Sequence, residues 1–425
     1  MKSRNFAKDA KVFFCAFAIP FAVLWCATPV AAAAEVLAGV AHVEFALPTG
    51  VPLAGYSRRK GAASRGLHDP VGVRALVLED GATTAALVSC DLLIVDEHLA
   101  DAVHRRLIAE GLPPTLILIV AGTHTHSGPG AYGTRFFEKI SMGHFDPHVF
   151  EAIVDAITDA VVAAHDTLSP ARVLYGTAQT RGLAANRMDP HGLVDGELTV
   201  VGFVRQAGQD PLAVLVNFSA HPTVLGAWNL ELSADYPGAV VRELEQRYPH
   251  AVALFFAGSV ADQAPVKSVG GFARVEEMGQ ELARAAMAVL DGAQPQPAGV
   301  LRARQEQMPL PPARVRLGRL TLPRWLASQF VDDDATLSVV EVGPTVFFGV
   351  PCDLAASLGL RLKRAAQAQG LQPMVIGFAS DYIGYCVPES LYEAKRYESS
   401  MAFNGPKAGE LVTHRLIEML SESSR

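Results

Sequence analysis

The chain has 425 residues, 36 of them basic and 43 acidic, a formal net charge of −7, five cysteines and 50% hydrophobic residues. That composition excludes a disordered, collagen-like or disulfide-stapled chain. The acidic balance argues against nucleic acid as a partner, because sequence-independent phosphate binding needs a basic surface.

In chain order the first predicted element is a leader. Lys2, Arg4, Lys8 and Lys11 precede an apolar run from Val12 to Cys26, and the small residues Val30 to Ala34 follow before Glu35. This is the layout of a secretory signal peptide over residues 1–34. The run is shorter than the ~20 residues a spanning helix needs, and Pro20 and Pro29 interrupt it. Cleavage there removes four bases and one acid, which leaves a net charge of −10 and the cysteines Cys90, Cys352 and Cys386. The expectation is an exported protein, periplasmic or secreted, with at most one internal disulfide.

Beyond the leader, short apolar runs read as buried strands: Ala75 to Leu78, Ala85 to Ser89, Thr115 to Val120, Leu212 to Phe218, Val252 to Phe256, Ser338 to Val342, Val346 to Val350 and Met374 to Phe378. The first two are close enough to form a hairpin over Glu79-Asp80-Gly81. Asp146 before Pro147 opens a helix over Val149 to Thr167, and Asp235-Tyr236 before Pro237 opens one over Gly238 to Arg247. Phe272 to Leu290, Leu354 to Ala368 and Gly405 to Leu420 also read as helices. One seam, a loop over Ala293 to Gly299, precedes an alternating segment from Val315 to Trp325 that suits an exposed ribbon or a flap over substrate or membrane. Together these predict an α/β fold with a mixed sheet and flanking helices, in one domain from residue 35 to 425.

The polar residues that stand out follow directly after predicted strands, where α/β folds place ligand sites. After the Thr115–Val120 run comes AGTHTHSGPG with His124 and His126; in extended backbone these two point to opposite sides, so only one ligates a metal unless the loop kinks. After Leu212–Phe218 comes SAHPT, with His221 held extended before Pro222. Asp262 is the only acid of AGSVADQAP, and Asp353 follows Val346–Val350 at a helix start, where capping alone would favour it. Ser380 to Tyr397 is dense in tyrosine. Two histidines, a carboxylate and a phenol meeting at one sheet edge would hold Zn²⁺ with room for water.

In their order, GTHTHSGPG, NFSAHPT and DYIGYCVPESLYEAKRYE resemble the catalytic domain of the neutral/alkaline ceramidases, zinc amidases that hydrolyse the N-acyl bond of ceramide. The resemblance extends from AGVAHVEF at Ala38 and GLHDPVGVRALVLEDG at Gly66 to the final helix. It implies His124, His221, Asp353 and Tyr385 as zinc ligands, Asp353 standing where the family has a glutamate. It implies His126 as a substrate-polarising group beside the metal, Arg187 of ANRMDP as an oxyanion-binding residue, Asp262 as a proton-handling acid, and Tyr392, with Tyr382 and Tyr397, as neighbouring family tyrosines. Two departures bear on the substrate: Ala264 stands where the family has an essential serine, and the chain ends at Arg425 without room for the family's C-terminal β-sandwich domain. The expected function is zinc-dependent hydrolysis of an amide, ceramide-like or small and non-lipid, or of an ester; a non-catalytic exported binding protein is the competing expectation. Cys352 and Cys386 adjoin the implied ligands Asp353 and Tyr385, so a shared metal would bring the thiols close, either bridged or as two buried thiols.

Overall fold

The computed structural model describes residues 35–423 apart from 207, 209, 267–269, 318–319, 328–329 and 394–395, and the expected leader lies outside the described residues. Strands β1 (Leu37–Glu44), β2 (Gly72–Glu79), β3 (Thr84–Cys90), β4 (Ile117–Gly122), β5 (Ser169–Gln179), β6 (Glu197–Arg205), β7 (Pro211–Phe218) and β8 (Val252–Ala257) lie in one sheet, in the order β8-β7-β6-β5-β1-β2-β3-β4. The β2–β3 pair is an antiparallel hairpin with Glu79 opposite Thr84, whereas β3–β4 and β7–β8 run parallel, so the sheet is mixed. A second sheet joins β9 (Leu301–Pro309), β10 (Asp334–Val342), β11 (Thr345–Gly349) and β12 (Gln372–Ile376) in that order.

Period-two alternation then divides the apolar residues among cores. On β2, Val73, Ala75 and Val77 lie in one cluster and Leu76 and Leu78 in another. On β7, Val214, Val216 and Phe218 part from Ala213 and Leu215, and on β10, Leu337 and Val339 part from Val340 and Val342. The second-named residues of all three strands meet in one shared core. Each outer face is covered by a helix pair: α1 (Glu97–Ala109) with α2 (Pro147–Asp166), α3 (Asp235–Arg247) with α4 (Phe272–Gly292), and α5 (Ala356–Gln367) with α6 (Ala408–Ser423). Fully burying each Leu or Val is worth about 1.5–3 kcal/mol, so both faces of the strands must be covered. Asp96 caps α1 through Leu99 N, and Asp146 caps α2 through His148 N with Pro147 in the first turn.

Leu354 does not begin a helix as expected. Asp353–Leu354 instead pairs in parallel with Tyr385–Cys386, and α5 starts at Ala356. The Val315–Trp325 segment does form a small antiparallel ribbon, Arg316–Leu317 against Leu320–Thr321, and Trp325 beyond it is 73% exposed. Cys352 and Cys386 are free buried thiols rather than a disulfide. No helix among the described residues is long and apolar enough to cross a membrane.

Candidate metal centre

Three loops that leave the C-terminal ends of β4, β7 and β11 converge on one point. Backbone bonds from Thr123 N to Cys90 O and from His124 N to Leu92 O hold the first loop, and His124 adopts φ +64°. That kink is the exception the extended-backbone reading allowed, and it turns His124 and His126 toward one another. Their Nε2 atoms lie 3.4 Å from each other, and His221 Nε2 is 2.9 Å from His124 Nε2. Each outer ring nitrogen is fixed: His124 Nδ1 donates to Leu93 O at 2.7 Å and His221 Nδ1 to Val260 O at 2.9 Å. A carbonyl only accepts, so the protons reside on Nδ1 and both Nε2 atoms present lone pairs.

Protonation does not relieve that opposition. Burial pushes His124 down to about 3 and holds His126 and His221 well below the usual imidazole range, so all three rings are neutral at physiological pH. Lone pairs facing each other at 2.9 Å repel unless a cation lies between them. Asp353 supplies the charge: fully buried, its Oδ1 has no hydrogen-bond partner and lies 3.7 Å from His221 Nε2 and 3.9 Å from His124 Nε2. Burial raises this carboxyl to about 7, against the charge of Arg187 and the hydroxyl of Tyr382, which donates to Oδ2 at 3.0 Å. Nitrogens bound ~2.1 Å from one tetrahedral ion would be ~3.4 Å apart. The spacing, the neutral imidazoles and the orphaned carboxylate oxygen fit a zinc-type divalent cation, and the histidines that offer nitrogens are His124, His126 and His221.

Opposite the carboxylate, Arg187 Nη2 donates to Tyr385 OH at 3.1 Å, while its Nε reaches Ala261 O at 2.9 Å and Glu398 Oε1 at 3.0 Å. Burial and the Asp353 charge push the Tyr385 phenol up, with Arg187 opposing. A cavity of about 50 Å³ adjoins the cluster, with His124, His126, Asp353, Tyr382, Tyr385 and Tyr397 among its lining residues.

Two expected site residues are placed elsewhere. Asp262 caps α5, accepting from Ala356 N at 2.9 Å and from Asn186 Nδ2 at 3.2 Å, so its carboxylate serves the scaffold. Tyr392 is buried among the side chains under α5 and α6, and Tyr397 rather than Tyr392 reaches the cavity. Ala264 sits in a short antiparallel ladder opposite Ala185, beside the Asn186–Arg187 turn. Sequence reasoning missed Glu398, which lies inside the YEAKRYE motif, and Tyr56 and Arg59, for which the sequence carries no signal.

A family model for the neutral/alkaline non-lysosomal ceramidase, N-terminal, matches residues 45–277. The chain belongs to the neutral/alkaline non-lysosomal ceramidase family. Among curated relatives, the neutral ceramidase of Pseudomonas aeruginosa is 31% identical over 204 residues, 44% of this chain and 30% of that protein. That of Mycobacterium tuberculosis is 28% identical over 229 residues, 47% of this chain and 36% of the relative. The match therefore spans about a third of the relatives' length. The fold is also that of a solved ceramidase complexed with C2, with a TM-score of 0.81 at 21% identity over 91% of this chain and 75% of the other. The crystal structure of the P. aeruginosa neutral ceramidase gives a TM-score of 0.81 at 22% identity, covering 91% and 74%.

Proposed function

We propose that the protein is an exported zinc-dependent amidohydrolase acting on an N-acyl bond. The observation that carries this reading is the set of Nε2 lone pairs of His124 and His221, aimed at each other beside the unpartnered Asp353 Oδ1. Zinc held there would supply a water-derived nucleophile near neutral pH and would polarise a carbonyl. The chain's own groups do the rest. Asp353 and the histidines would hold the ion, and Tyr385, beside them, is the further candidate donor. Arg187, locked by Glu398 and Ala261 O, aims Nη2 at the side where negative charge develops on a tetrahedral intermediate. Tyr382 fixes the carboxylate through Oδ2 and so leaves Oδ1 for the cation.

Membership of a ceramidase family supports an N-acyl lipid as substrate. The cavity of about 50 Å³ favours a second reading, a smaller N-acyl compound or ester, and Ala264 points to water rather than a serine as nucleophile. The basic and apolar leader supports export, and the ribbon before Trp325 supports contact with a lipid surface. His221→Ala should lose bound zinc and turnover together; unchanged metal content in the variant would sink the assignment. Turnover of a panel of N-acyl amides and esters of graded chain length, with and without chelator, separates the two substrate readings. No chelator-sensitive turnover of any member would favour a binding protein.

A further inference from the structure

We propose that a cavity at the far end of β7 from the metal centre binds a small zwitterion, its oxyanion held by Arg172, Arg247 and Tyr248 and its ammonium by Asp210 and Asp291. The cavity measures about 370 Å³, and these five residues are among those that line it. Arg172 belongs to β5, Arg247 ends α3 with Tyr248 next in the chain, Asp210 directly precedes β7, and Asp291 lies in the last turn of α4. The histidine loop leaves the other end of β7, so at ~3.3 Å per residue the eight residues of that strand put the two sites roughly 25 Å apart. Polar groups of this kind, converging on a cavity of roughly 300–1,000 Å³, are the ordinary form of a small-molecule site.

The fold does not use the charges that meet there. Arg172 Nη2 donates to Gly208 O at 2.8 Å, and its Nε is buried without a partner. The Arg247 guanidinium lies over the Tyr248 ring, 4.9 Å from its centre. Neither arginine pairs with a carboxylate among the described residues, and the side chains of Asp210 and Asp291 have no hydrogen-bond or ion-pair partner there. Tyr248 is 8% exposed and its hydroxyl is also without a partner, whereas a buried hydroxyl normally has one. Burial, with the charges of Asp291 and Asp210, pushes this phenol up against the opposing charge of Arg247, so at neutral pH it keeps its proton and donates to an anion. Beside Asp291 the terminal carbonyls of α4 add partial negative charge, which favours a cation. An oxyanion alone would face the aspartates, and a cation alone the arginines; a molecule that carries both satisfies each.

Titration calorimetry of the full chain with leucine and with O-phosphoethanolamine tests this and distinguishes a carboxylate from a phosphate as the oxyanion. At least one of them should bind, and acetate, inorganic phosphate and ethylamine, which carry one sign each, should bind at least about 10-fold more weakly. Arg172→Gln and Arg247→Gln should each weaken the zwitterion by about 10–100-fold. Asp291→Asn should bring it down to the level of the matching single-charge anion. Tyr248→Phe should weaken it by about 3–10-fold yet leave the urea midpoint unchanged or higher, because the hydroxyl it removes bonds nothing within the protein. If Arg172→Gln does not fold, Arg247→Gln, on an exposed side chain, carries the test. His221→Ala should bind the zwitterion as the wild type does, so failure of the metal reading leaves this site standing. Binding of neither zwitterion, single-charge compounds binding as tightly, or folded arginine variants with wild-type affinity would each overturn the proposal.

Discussion

His42 shows how one neighbouring cation and a partly desolvated ring set a pH dependence. It sits on the exposed side of β1 opposite Arg74, and partial desolvation of the ring together with that cation lowers its pKa to about 4. The unfolded chain, with an ordinary imidazole near 6.5, therefore binds more protons between pH 4 and 6.5. Stability from His42 is complete above pH 6.5 and is lost as pH falls toward 4. Asp91 and Asp381 act with the opposite sign: burial raises them to about 6 and about 7, so their contribution is lost as pH rises through those values. The total slope is thus a competition, and the difference between wild type and His42→Gln is the cleaner observable. Urea unfolding at pH 7 and pH 5 should show a smaller acid loss in the variant; identical losses would remove His42 from the account.

Helix α5 is tied to the candidate site by a buried cation. Lys363 is 3% exposed and pairs with Asp195 at 2.9 Å and Glu197 at 3.1 Å; Asp195 also accepts from Ser219 Oγ at 3.0 Å, two residues before His221. Lys363→Met would leave the two acids uncompensated and should cost ~3–5 kcal/mol in chemical denaturation; adding Asp195→Asn should restore part of it. A loss below about 1 kcal/mol would mean that the acids find solvent. None of this was legible in the sequence, which carries no mark for a pair 168 positions apart. The elements were legible where one physical rule dominated. Two-sided burial makes β7 and β8 continuous apolar runs, and proline with aspartate marks the start of α2. The edge strand β9, LRARQEQMP, was missed because one partner strand and a solvent-facing side allow polar residues throughout. The HTH and AHP motifs announced His124 and His221, yet the left-handed backbone that makes His126 their neighbour belongs to the loop's tertiary setting.

At the scale of the molecule, the three helix-backed faces share one core and send their loops to one centre. Loading zinc should therefore raise the melting temperature of the whole domain: at a hundredfold excess over the dissociation constant the gain is about 2.7 kcal/mol. Scanning calorimetry with and without chelator should show a single transition moving as a unit. Two transitions, only one of them metal-sensitive, would show that the faces unfold separately. The separation of the donors in the chain also sets a timetable. His124 and Tyr385 are 261 positions apart, so at about 5–20 residues per second a ribosome makes the last donor roughly 13–50 s after the first. His221 follows within 97 positions of His124, so the histidines are complete early, and what arrives last is the Asp353 carboxylate and the Tyr385 phenol, which join the centre only in a chain whose synthesis is nearly complete.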